Sequence, residues 1–207
     1  MLQETVQTEE DHLIEEAQHG NQIAVSRLIS NWYERIFNYA LKFLGSQELA
    51  SEVTQKTFIS VYKNIYKLED RSKFKSWVYT IVSNKCKEEI RRKKRWSIIS
   101  FDQLLPKKED EDSPQWEVSR PRETNPEKTF MQNELGGIMN ECIAKLPAEQ
   151  REILIMKEYE GLKFREIAEI LKISENTAKS RLYYGLDALR KILKEQNINK
   201  DTVSYEY

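Results

Sequence analysis

From Arg71 to Arg95 ten lysines and arginines stand against only Glu88 and Glu89, with Tyr66, Phe74, Trp77 and Tyr79 in or beside the run. Cations at that density attract a phosphate backbone, and aromatic rings can hold a base that has left its stack. A second candidate lies near the other end. Glu175, Asn176, Lys179, Ser180 and Tyr183 share one side of a helical pattern, with Arg181 at its flank. Polar tips on one side of a helix end can read base edges in a major groove, and the flanking arginine suits a phosphate. Each has a plainer reading. Phe74 and Trp77 fall on an apolar stripe and suit core packing, Arg91–Arg95 can be a solvated helix end, and the later helices can be an ordinary bundle pair.

Catalysis finds little support. The run Glu109–Asp112 could suggest a metal-dependent nuclease, but it is flanked by Pro106 and Pro114 and lacks the rigid scaffold that metal chemistry needs. Cys86 and Cys142 sit far apart in apolar patterns, and neither His12 nor His19 is near them, so no zinc set is offered. No Gly-rich phosphate loop or nucleophile–base pair is evident. The expectation is a non-enzymatic protein without metal or cofactor. No apolar run approaches the ~20 residues that span a bilayer, so stable membrane insertion is not expected. The first twenty residues hold six acids and no Lys or Arg, the reverse of a secretory signal, which suggests a cytoplasmic chain. The formal net charge of −1 hides a strong dipole. Asp102–Glu117 carries six acids against two lysines, so a basic face can coexist with overall neutrality.

Helical periodicity dominates, and an all-α fold of two small domains follows. A short acidic helix is predicted near Thr8–Gln18. A long one over Asn21–Leu44 carries Val25, Leu28, Ile29, Trp32, Ile36, Ala40, Phe43 and Leu44 on one stripe. Gly45 stops it and Ser46 caps the next helix, which runs to about Lys67. Ser72 can cap a further helix with Phe74, Trp77, Val78, Ile81, Val82 and Cys86 inside. Residues 8–96 thus read as one helical domain. Residues 97–125, with Pro106, Pro114 and Pro121, read as a linker that stretches to roughly 95 Å at ~3.3 Å per residue. Residues 126–195 read as a second domain. Its first helix starts at Pro126 with Met131, Leu135, Ile138, Cys142 and Leu146 inside. A helix from Pro147 to Gly161 follows, then a short helix, Phe164–Lys172, a tight turn, and a last helix capped by Ser174. Ile167, Ala168, Leu171, Ala178, Leu182, Leu186, Leu189 and Leu193 should face inward. This is the helix-turn-helix pattern. Residues 196–207 read as a polar tail.

The stretch Asn38–Arg95, with "SEVTQKTFISVYKNIYKLEDRSKFKSWVYTIVSNKCKEEIRRKKR" at its heart, resembles the second region of the extracytoplasmic-function sigma factors. "LPAEQREILIMKEYEGLKFREIAEILKISENTAKSRLYYGLDALRKIL" resembles their fourth region, in the right order after a linker. The resemblance implies a sigma region 2 helical bundle that binds the clamp of core RNA polymerase, recognises the −10 element of promoter DNA and helps to melt it. It also implies a sigma region 4 helix-turn-helix domain that reads the −35 element. It places Glu52 and Gln55 on the clamp-facing helix, with Lys56 where the family is usually acidic and Phe58 just after. It aligns Glu69–Ser76, and so Asp70, Arg71, Lys73, Lys75 and Ser76, with a pocket for a flipped base. It puts Lys85, Lys87, Arg91 and Arg92 on the promoter backbone. Glu175, Asn176, Lys179, Ser180 and Tyr183 fall to the −35 element, with Arg181 on phosphate. An anti-sigma factor is implied as a further partner. Lys172 replaces a common glycine in the turn, and Gly185 inside a helix costs about 1 kcal/mol relative to alanine. The rival reading, a helix-turn-helix regulator acting without polymerase, explains the second domain but leaves the first idle.

Overall fold

The computed structural model describes residues 2–99 and 136–196, and every regular element among them is helical. Of the expected linker, residues 97–99 are helical and residues 100–125 lie outside the described residues, as do the helix start at Pro126 with Met131 and Leu135 and the tail from 197.

Helix α1, Leu2–Gln18, leads through Gly20, at φ +86°, to α2, Gln22–Leu44. Asn21 is the cap of α2: its Oδ1 accepts from the backbone N–H of Ile23 at 3.0 Å and of Ala24 at 3.3 Å. Gly45 closes α2 at φ +67°, a left-handed turn that glycine enters without a Cβ clash. Ser46 Oγ then accepts from Leu49 N at 3.4 Å at the start of α3, Gln47–Asn64. The chain tightens into a 3-10 turn over Ile65–Lys67, so α3 ends three residues before the expected Lys67. The expected cap also differs. Asp70, not Ser72, caps the next turn, accepting from Ser72 N at 3.0 Å and from Ser72 Oγ at 2.6 Å. A short 3-10 turn, Arg71–Lys73, intervenes before α4, Phe74–Ile99, and puts the cap two residues earlier.

The described residues form two compact units. One holds the chain up to Phe37 and from Ser51 through α4. Its core is the meeting of the predicted stripes: Leu28, Trp32, Ile36, Val61, Phe74, Val78, Val82 and Cys86 are all buried, and Ile14 and Tyr79, on none of those stripes, are buried with them. Trp32 meets Phe74 and Tyr79 edge-on, with ring centroids 5.5 and 6.1 Å apart, and its indole N–H donates to Glu10 at 2.5 Å. Each such side chain removed from water stabilises by about 1.5–3 kcal/mol. Trp77 is only half-buried, at the edge of this core.

The other unit joins Asn38–Ala50 to the described chain from 136. Helix α5 covers 136–144, and α6, Ala148–Leu154, starts after Pro147 and widens into a π-helical turn over Ile155–Tyr159. Gly161, at φ +64°, ends it. Arg151 donates to the carbonyl oxygens of Phe43, Ala144 and Leu146, the last at 2.7 Å, and so satisfies carbonyls that helix ends leave open. Burial holds its guanidinium pKa below the ordinary value. Helices α7, Phe164–Leu171, and α8, Glu175–Glu195, complete the unit. Ile167, Ala178, Leu182 and Leu189 are buried as expected, and Ile170 joins them. Ala168, Leu171 and Leu193 are half-buried, while Ile138 and Leu186 are exposed at the stripe edges. Both cysteines are buried and neither is in a disulfide.

The turn between α7 and α8 carries the one non-glycine residue with positive φ among the described residues: Lys172, at φ 55° and ψ 46°. Its N–H donates to Glu169 O at 3.4 Å and that of Ile173 to Ala168 O at 3.1 Å, closing the helix end. An L side chain in that conformation costs about 1 kcal/mol or more. Lys172→Gly should therefore raise the unfolding free energy by about 0.5–1 kcal/mol, read by urea titration followed by circular dichroism. A loss of stability would show that the lysine side chain, not the turn, sets the energy at this position.

Candidate nucleic-acid and polymerase interfaces

Helix α8 begins at Ser174, whose Oγ accepts from Thr177 N at 3.0 Å. Its apolar side is turned inward by Ala178, Leu182 and Leu189. The opposite side therefore presents Glu175, Asn176, Lys179, Ser180 and Tyr183, all exposed, as the spacing predicts. Lys179 Nζ lies 5.8 Å over the Phe164 ring, a cation–π contact that leans the ammonium towards α7. Tyr183 is 69% exposed, and its neighbour Tyr184, absent from the expected set, is 68% exposed. Such large rings left in water on one helix suit contact with a partner.

Arg181, expected on phosphate, is only half-exposed and pairs with Glu149 at 2.6 Å. That bond ties α8 to the start of α6. Gly185 has its reason in the same place: a Cβ there would meet the Gln150 Cβ at 3.3 Å and its carbonyl oxygen at 3.4 Å. The glycine's helix cost is the condition for close approach of α6 and α8.

The expected base-holding loop is built from a side the local sequence does not announce. Gln18, on α1, donates to the carbonyl oxygens of Leu68 at 2.6 Å and Ile65 at 3.2 Å. Arg71 donates from Nε to Gln18 Oε1 at 3.3 Å and pairs with Glu15 at 3.0 Å. Arg71 is thus a staple of the loop to α1 as much as an open cation. Asp70 is spent on its cap, and the Ser72 hydroxyl, then the Ser72 N–H and Lys73, hold its carboxyl below the usual range. Lys73 is exposed, and Lys75 and Ser76 are half-buried.

On α4, Arg91 is exposed and Lys87 half-buried, while Lys85 pairs with Glu88 at 3.6 Å. Arg92 donates from Nε to Glu89 at 2.8 Å and reaches Glu52 of α3 at 3.5 Å. On α3, Glu52 also pairs with Lys56 at 2.5 Å, and Gln55 is exposed. Phe58 departs from its expected place on a docking face. It is 5% exposed, its ring 6.2 Å from that of Tyr33, so it supports α3 from within. Sequence reasoning missed Gln18, Glu15, Glu89, Glu149 and Tyr184. Only Glu89, three residues before Arg92, left a local signal. Among the described residues no group of three or more His, Cys, Asp or Glu is placed to hold a metal ion, and no helix is long and apolar enough to cross a membrane.

A cationic, loop-bearing helical unit and a helix-turn-helix on one chain define a DNA-binding protein of two parts. Comparison with known proteins gives the class a family. The family model for Sigma-70 region 2 matches residues 28–96, and that for Sigma-70, region 4 matches residues 137–189. The chain is 29% identical over 198 residues to the ECF RNA polymerase sigma factor SigW of Bacillus subtilis, spanning 88% of this chain and 95% of that protein. It is 25% identical over 187 residues to the RNA polymerase sigma-H factor of Pseudomonas aeruginosa, spanning 90% and 95%. In fold it is similar to CnrH, solved in complex with the cytosolic domain of CnrY (TM-score 0.62, 18% identity, 90% of this chain and 97% of that one). It is also similar to the sigma factor RpoE from Bartonella quintana, solved with the anti-sigma factor NepR (TM-score 0.55, 19% identity, 85% and 96%). The chain belongs to the extracytoplasmic-function branch of the sigma-70 family. It is a non-enzymatic initiation factor that directs RNA polymerase to promoters, and a regulator working without polymerase is not favoured.

If Glu149 holds Arg181 back from phosphate, Glu149→Gln should tighten promoter binding by the polymerase-bound chain about two- to fivefold at low salt, as an exposed ion pair allows. Fluorescence anisotropy across a salt series measures it. Weaker binding would mean that the pair orients Arg181 for its contact.

Proposed function

We propose a residue-level division of labour for this sigma factor. Residues 8–96 dock on the polymerase clamp through Glu52, Gln55 and Lys56, acids and amides on an accessible helix face that can meet basic groups of a partner helix. Phe58 shapes that helix without touching the partner. Lys73, Lys75 and Ser76, with the loop that Asp70 and Arg71 brace, take a base of the −10 element, and Lys85, Lys87, Arg91 and Arg92 lie along its backbone. Residues 126–195 carry the −35 reader, with Glu175, Asn176, Lys179, Ser180 and Tyr183 towards base edges and Arg181 towards phosphate. Residues 97–125 link the two, and 196–207 form a tail. The chain works in the cytoplasm, where polymerase and promoters are. CnrH and RpoE of Bartonella quintana were each solved with a bound partner, and we extend to this chain an anti-sigma protein that covers its working faces.

One observation carries most of this reading. The α8 face that sequence spacing selects is open, while the residues that fix its rotation are buried. Run-off transcription with core polymerase and a selected promoter tests it. Wild-type chain should give a transcript of defined length only in the presence of core. Lys179→Ala should lower promoter affinity about tenfold, within the range of one base or phosphate contact, and leave core binding unchanged. A transcript insensitive to Lys179, Ser180 and Tyr183 alike would remove the −35 assignment.

A further inference from the structure

Two groups given different tasks meet between α3 and α4. Glu52, assigned to polymerase, has Oε1 2.5 Å from Lys56 Nζ and Oε2 3.5 Å from Nη2 of Arg92. Arg92, assigned to the promoter backbone, also brings Nε to 2.8 Å and Nη2 to 2.7 Å from Oε1 of Glu89. Glu89 is 6% exposed. A buried carboxylate persists only when paired and hydrogen-bonded, so Glu89 sets where the guanidinium rests. A planar guanidinium with five N–H donors can serve two carboxylates at once, which a point-charge ammonium does less well.

Building on the assignments of Glu52 and Arg92 above, we propose that Arg92 is a shared counter-ion, held in place by Glu89, through which polymerase docking and promoter contact are coupled. While Arg92 reaches Glu52, each charge partly cancels the other towards outside partners. A cationic polymerase group that takes Glu52 releases Arg92 from that acid and strengthens the positive field along α4. By linkage, a phosphate that draws Arg92 away leaves Glu52 more available to the clamp. Glu89 touches neither partner in this scheme. It is a positioning residue for Arg92.

The test measures binding of fluorescent full-length chain to core polymerase at low salt, then the salt dependence of promoter binding by the assembled holoenzyme. Glu52→Gln should weaken core binding. The neutral replacement Glu89→Gln/Arg92→Gln should tighten core binding about two- to fivefold, the ceiling for an exposed ion pair, and the gain should vanish when Glu52→Gln is added. Glu89→Gln alone should reduce the logarithmic salt slope of promoter binding by about 0.9, one phosphate contact, as Arg92→Gln does. A purely structural role for Glu89 would not change that slope. Arg92→Lys keeps a cation beside Glu89 without the rigid fork, and should give the same gain in core binding if the double variant loses helicity. Unchanged core affinity in Glu52→Gln would sink the clamp assignment itself. Weakened binding there, with no gain in either Arg92 variant or no change of slope in Glu89→Gln, would overturn the coupling alone.

Discussion

Burial of Ile167, Ala178 and Leu182 fixes the rotation of α8 about its own axis, and that rotation decides which polar side chains stay outside. A helix with a one-sided stripe has no choice in this, because turning it would put leucine in water and lysine in the core. The left-handed Lys172 sets the angle at which α8 leaves α7, the Ser174 cap starts it, and Gly185 lets it lie close to α6. The same rule governs α2, α3 and α4, where the packing of Trp32, Phe74 and Tyr79 leaves the basic side of α4 outward. Function in this chain is what remains on the outside once these stripes have closed.

What remains outside is less bare than the sequence suggests. Arg71, Arg92 and Arg181 are all candidate DNA-site cations, and each is met by an acid: Glu15, Glu89 with Glu52, and Glu149. A chain of formal net charge −1 can carry DNA-facing cations only by keeping acids near them or elsewhere. Each pair subtracts from the field that a phosphate would feel. Such a surface suits a factor whose DNA contacts matter chiefly when a larger machine supplies the rest of the grip.

The helices were legible because periodicity is local: the stripes of α2 and α4, the cap at Ser174 and the turn at Lys172 can be read within a dozen residues. The departures have definite causes. Ser72 resembled a cap, but Asp70 two residues earlier accepts from both its N–H and its hydroxyl. Phe58 follows Thr57 at the edge of a wide stripe, and sequence alone cannot say whether an edge residue faces in or out; Thr57 itself is buried, its hydroxyl donating to Val53 O at 2.7 Å. Gln18 meets the Leu68 carbonyl across fifty positions of chain, and no pattern foretells that. Glu149 lies thirty-two positions before Arg181 and reaches it only because α6 and α8 pack together. Side chains proposed to read a partner leave local traces, whereas those that brace them are set by tertiary packing.

Hydroxyl-radical footprinting of one promoter duplex addresses the central claim most directly, with chain alone, core alone and both together. If two helical parts of this chain grip separate stretches of DNA while seated on polymerase, two protected patches should appear, around −10 and around −35, only when both proteins are present. A chain that protects the same patches by itself, or leaves the pattern of core unchanged, would contradict the account.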